Sequence, residues 1–71
     1  MEKRLIITGG VGIDNTWNDT GRFEVKYSGG TKVFINHSHA AAFYNDLQEP
    51  ATISDKTNKT IVLEQKDWAK D

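Results

Sequence analysis

The sequence has no cysteine, a single proline (Pro50), no long apolar run and no excess of either charge. Without cysteine there is neither a disulfide framework nor a thiolate zinc site. Stability must come from packing, and 71 residues bury only about 60% of the surface that the unfolded chain exposes. A margin of roughly 3–5 kcal/mol is expected unless the chain oligomerises. The longest apolar run, Leu5-Ile6-Ile7, is far too short to span a bilayer. Residues 1–5 carry basic side chains without an apolar h-region or a cleavage site, so no secretory signal is expected and the default location is cytoplasmic. Nine Lys+Arg stand against ten Asp+Glu, a net charge of −1. That balance lacks the basic excess of a strong nonspecific polyanion binder. Asn-x-Ser/Thr triplets begin at Asn18, Asn36 and Asn58; in a chain without a signal peptide they are chance matches.

What is present is the composition of a folded, soluble domain, with 37% hydrophobic and 27% charged residues. The length fits one small domain, residues 1–71, with no room for separate cofactor and substrate units. Residues 3–8 read as a β-branched strand that Gly9-Gly10 stops or bulges, with Val11-Gly12-Ile13 as a continuation. Residues 14–21 read as a polar loop around Trp17. Residues 22–28 alternate, with Phe23, Val25 and Tyr27 on one side and Arg22, Glu24 and Lys26 on the other. Gly29-Gly30 signals a turn, and residues 31–37 return as a strand.

The register of that hairpin decides which side chains are buried. A Gly-Gly loop sets Val25 opposite Phe34 and Tyr27 opposite Lys32, placing a lysine on the apolar face. A three-residue loop, Gly29-Gly30-Thr31, sets Phe23 opposite His37, Val25 opposite Ile35 and Tyr27 opposite Val33. The second choice buries the more apolar set and is preferred. It places Phe34 on the outer face with Arg22, Glu24, Lys26, Lys32 and Asn36.

Ser38 is a fair N-cap for a helix over 39–48, whose Ala40, Phe43, Tyr44 and Leu47 form the buried stripe. Residues 51–59 read as turn-rich around Ile53, residues 60–65 as a last strand, central because both its faces are apolar, and 66–71 as a polar tail with Trp68. The expectation is an α+β domain: a four-stranded antiparallel sheet in the order β-β-β-α-β, with one helix on one face. Its core is Phe23, Val25, Tyr27, Val33, Ile35, Phe43, Leu47, Ile61 and Leu63.

No motif carries chemistry. The glycines at 9, 10 and 12 follow a strand, but a dinucleotide turn needs a helix directly after them, and Asp14-Asn15-Thr16 is loop-like. His37 and His39 have His-x-His spacing, yet zinc needs further ligands and His39 belongs to the helix start, so no metal or other cofactor is expected. Ser38 lies between two histidines, but sequence neighbours do not face each other, and its cap role suffices. Glu24, Glu49 and Glu64 fall on separate elements without acid/base pairing. The chain reads as a non-enzyme. The outer sheet face is the candidate surface: Arg22, Lys26 and Lys32 around Phe34 could hold phosphates and stack on a base, or form a protein contact.

Gly21-Arg22-Phe23-Glu24-Val25-Lys26-Tyr27, a Gly-Gly turn, Lys32-Val33-Phe34 and Ala40-Ala41-Ala42-Phe43-Tyr44-Asn45-Asp46-Leu47 together resemble two groups of proteins. One is the three-strand-plus-helix layout of integrase arm-binding domains and of the plant ethylene-response DNA-binding domain. There the sheet face enters the major groove, which would implicate Arg22, Lys26 and Lys32. The other is the short uncharacterised proteins of phages and mobile elements, which implies an accessory role. The functional expectation is a small non-enzymatic interaction module, an accessory protein of a phage or mobile element. It would bind a protein partner or itself through the outer face, with nucleic-acid binding through that face as the alternative and no membrane partner.

Overall fold

The computed structural model describes residues 4–12 and 20–69. Five strands and one helix follow in the order β1 (Leu5–Gly9), β2 (Thr20–Tyr27), β3 (Gly30–Asn36), α1 (His37–Asp46), β4 (Ala51–Asp55) and β5 (Ile61–Trp68). All strand pairs are antiparallel, and the sheet runs β1-β5-β4-β2-β3. The α+β class and the helix on a sheet agree with the sequence reading; the strand count and order do not. The additional strand is β4, where only Ile53 had been expected as an anchor. Its Thr, Ser and Asp are turn formers by local preference. Tertiary pairing overrides that preference, because β4 lies between two eight-residue strands that satisfy both of its edges.

The element bounds also move. The helix starts at His37 behind Asn36 as N-cap, not at His39 behind Ser38. Strand β5 runs on to Trp68 and takes in residues read as tail. At the first strand the expected irregularity is present: the register shifts between Ile7 and Gly9, and Val11 and Gly12 still donate to the carbonyls of Val62 and Leu63 at 3.2 and 2.7 Å. The loop around Trp17 lies outside the described residues.

The main correction is the β2–β3 register. Phe23 pairs with Phe34, Val25 with Lys32 and Tyr27 with Gly30, across a turn of Ser28 and Gly29. Neither loop weighed from the sequence is formed. Lys32 therefore shares the inner face with Phe34, and Val33 and Ile35 turn outward, so they are not core residues. The lysine is tolerated because its stem lies along aromatic surface while its charge stays at the rim. Its Nζ sits 5.2 Å from the Phe43 ring centroid and 5.9 Å from that of Phe34.

The core beneath the helix is Phe23, Val25, Ala40, Tyr44, Ala51, Ile53 and Leu63, all buried, with Tyr27, Phe34, Phe43, Leu47 and Ile61 packed around it. Tyr27 and Phe34 both meet Phe43, with ring centroids 5.3 and 5.4 Å away. The end of the helix is closed from the sheet. Lys66 donates from Nζ to the carbonyls of Tyr44 and Leu47 at 2.7 and 2.6 Å, adding to the Leu47 N–H that already reaches the Tyr44 carbonyl at 3.1 Å and supplying the helix end with a donor for Leu47. Its ammonium also stands 4.4 Å over the Tyr44 ring. Burial holds the Lys66 pKa below the usual lysine range, against the opposing pull of Glu64 and Glu49. Burial first, and the nearby Glu64 carboxylate second, push the Tyr44 phenol above its usual range.

Candidate functional site

The strand pairings align side chains in rows across the sheet. On the inner face one row is Phe34, Phe23, Asp55 and Ile61, which the helix and its neighbours seal. On the outer face one row is Val33, Glu24, Ser54 and Val62, and the next is Thr31, Lys26, Thr52 and Gln65. The helix touches β2, β3 and β4 from the inner side. Among the described residues no helix or strand packs over the outer rows.

This register divides the four residues expected to form one surface. Arg22 and Lys26 are on the outer face. Lys32 and Phe34 are on the inner face, where Phe34 is half-buried against Phe43. The expectation that Phe34 lies outside is thus overturned, and the patch of three cations around one aromatic is not assembled.

A different set converges. Glu24, Lys26, Thr52, Ser54, Lys56, Thr60 and Val62 line a shallow hollow of about 290 Å³ above β2, β4 and β5. The Glu24 carboxylate lies between two cations, 3.4 Å from Lys56 Nζ and 3.6 Å from Arg22 Nε. Three cations against this one carboxylate leave the middle of the face positive although the whole chain is slightly acidic. The position of Lys56 is set by the β4–β5 turn. Its N–H donates to the Arg22 carbonyl at 2.7 Å, and Thr57 Oγ1 accepts from the Arg22 N–H at 3.0 Å while donating to Asp55 at 2.6 Å. Gly21 makes that approach possible. Its φ is +157°, and a Cβ there would collide with Thr57 Oγ1.

Beside the hollow, at the edge of the sheet, Val33 is 50% and Ile35 74% exposed. The backbone of this edge is open as well. In a hairpin with a two-residue turn, Tyr27 and Gly30 form the first closely hydrogen-bonded pair, and alternation then directs the N–H and C=O of residues 30, 32 and 34 to β2. The Arg22 carbonyl, which accepts from β4's side, fits the same alternation. The backbone groups of Thr31, Val33 and Ile35 therefore point away from the sheet, and among the described residues no strand pairs with them.

Val33 and Ile35 were placed in the core from the sequence, and Lys56, Thr52 and Ser54 were assigned no site role. The signal that could have found the first pair was the Ser28-Gly29-Gly30 run, which allows a two-residue turn of Ser28 and Gly29, one residue before the Gly-Gly loop. The histidines are not brought together as a ligand pair. His37 is buried with its ring 5.5 Å from that of Phe23, whereas His39 is exposed and near Asn36. Among the described residues no group of three His, Cys, Asp or Glu is arranged to hold a metal ion. No described helix is long and apolar enough to cross a membrane. No family model, characterised protein or solved structure matches the chain.

Proposed function

We propose that this chain is a non-enzymatic interaction module whose contact surface is the outer sheet face, centred on β3 and extending to the hollow at Glu24. One observation carries the reading: two aliphatic side chains, Val33 and Ile35, stand exposed together on a strand whose backbone edge is open. Apolar residues concentrated at an open edge are a recognised mode of strand addition, in which the main chain supplies affinity and the side chains supply selectivity. The mobile-element setting proposed for it rests on the sequence style of residues 21–47.

The test is retention on the immobilised chain, comparing the native sequence with a Val33→Ser, Ile35→Ser double variant and with Asn45→Ala, an exposed position on the helix at the other face of the sheet, as a control. The reading expects a defined polypeptide, this chain included, to be retained by the native protein and the control and lost by the double variant. Equal retention by all three would remove it.

The positive middle of the face favours nucleic acid as a second reading, through Arg22, Lys26 and Lys56. Phe34, the aromatic that would have stacked on a base, is turned to the helix, so this binding would depend on phosphates and fall steeply with salt. Lys26→Ala should weaken it uniformly across sequences, and no shift in a gel at low salt would dispose of it.

A further inference from the structure

The open edge of β3 is self-complementary, and we infer that its occupant is β3 of a second copy of this chain, paired antiparallel about a two-fold axis at Val33. The inference rests on the reading above and names its partner. Strand β3 has seven residues, Gly30–Asn36. With Val33 on the axis every one of them is paired: Thr31 faces the second copy's Ile35, Val33 faces itself, and Ile35 faces the second copy's Thr31. These are the residues whose N–H and C=O groups point outward, so each pair can exchange both backbone bonds. The outer side of the join becomes a continuous apolar strip made of Val33 and Ile35 from both copies.

Charge selects this register among the symmetric ones. On the inner side Lys32 faces the second copy's Phe34, so each ammonium meets an aromatic ring, as it already does within one chain. Sliding the pair so that residue 32 is on the axis sets Lys32 against Lys32, a like-charge pair that destabilises a sheet. Sliding it the other way, to residue 34, leaves the ends of the strand unpaired.

The edge also lacks the devices that keep strands apart. It has no proline, and its one charged side chain, Lys32, lies over Phe34 and Phe43 instead of projecting along the edge. The opposite edge of the sheet is less suited. Strand β1 has five residues and a register shift between Ile7 and Gly9. Joining β3 to β1 of another copy would be a head-to-tail contact that does not close, whereas β3 on β3 closes as a dimer. One strand pair buries less than about 1,200 Å², the range of transient contacts, so the dimer is reversible.

The deciding experiment is light scattering across a dilution series from about 1 mM to about 10 μM, with folding of each chain checked by circular dichroism. The native chain is expected to pass from dimer to monomer. Val33→Lys and Val33→Glu should each be monomeric throughout, because like charges meet on the axis. An equimolar mixture of V33K and V33E should dimerise again, because only residue 33 faces residue 33. Ile35→Pro, which removes an outward N–H and no hairpin bond, should also be monomeric. A native chain monomeric at every concentration overturns the inference, as does a dimer insensitive to these substitutions or a V33K and V33E mixture that stays monomeric. If the native chain stays monomeric yet retains a different polypeptide through Val33 and Ile35, self-pairing fails while the interaction reading stands.

Discussion

The two halves of the sheet are built on different principles. Strands β2, β3 and β4 lie under the helix, and their inward side chains Phe23, Val25 and Ile53 are fully buried. Strand β1 and the adjoining side of β5 have no helix above them, and Ile7 is 64% and Trp68 37% exposed. The first half is held by packing. The second is held mainly by its ladder of backbone bonds, closed at one end by the Ala69 N–H on the Arg4 carbonyl at 2.6 Å and extended by Thr8 Oγ1 on the Gln65 carbonyl at 3.2 Å. A single helix of ten residues cannot span five strands spaced about 4.8 Å apart, so a sheet this wide leaves one half bare.

This contrast sets the expected order of mutational effects. Truncation under the helix should be the most damaging. Phe23→Ala removes a fully buried ring and should cost about 3–5 kcal/mol, comparable to the whole margin expected of a domain this small, so no cooperative thermal transition should be seen. A cooperative transition near the native midpoint would show that the helix-covered half is not the stabilising one.

Next is the link between the halves. Lys66 is on β5 but caps the helix. Lys66→Met keeps apolar bulk and removes the donors to the Tyr44 and Leu47 carbonyls, for an expected loss of about 2 kcal/mol in denaturant titration. No loss would mean that the helix end does not depend on the sheet.

A smaller effect is expected at the β2–β3 turn, where the Ser28 N–H donates to Glu49 Oε1 at 2.7 Å. The bonds from Ser28 hold the Glu49 carboxyl below its usual range. A carboxylate whose pKa is lowered on folding contributes stability above its unfolded pKa and loses it as the pH falls through the folded value. Glu49→Gln should therefore lower the thermal midpoint at neutral pH, and the gap from the native chain should close in acid, below about pH 4. A gap independent of pH would exclude the charge as its source. The smallest effect belongs to the bare half, where Ile7→Ala should shift stability by no more than about 0.5 kcal/mol.

Strong local patterns made part of this fold legible. The alternation at residues 22–27 identified β2, and the Ala40, Phe43, Tyr44, Leu47 spacing identified the helix face. Strand β4 was hidden because Thr52, Ser54 and Asp55 favour turns when read alone, and only flanking strands make them extended. The candidate surface was lost through a single assumption, that a lysine would not accompany Phe34 on the inner face. Two aromatic rings from β3 and the helix make Lys32 acceptable there, and that contact is invisible to local pattern. The three-residue loop sets Phe23 opposite His37 where the structure has Phe34, and an odd slip exchanges the faces of a strand, which turns Phe34 outward and Val33 and Ile35 inward. Arg22 and Lys26 were placed correctly because the alternation of β2 does not depend on the hairpin register.

The pairing of β3 is the claim from which the outer surface and its partner both follow, and thiol labelling reads it directly, since the native chain contains no cysteine. Ile35→Cys should react at close to the rate of an exposed thiol and Phe34→Cys much more slowly, measured under native conditions at dilutions where the chain is monomeric. Rapid labelling at position 34 with protection at position 35 would mean that the strand faces the other way.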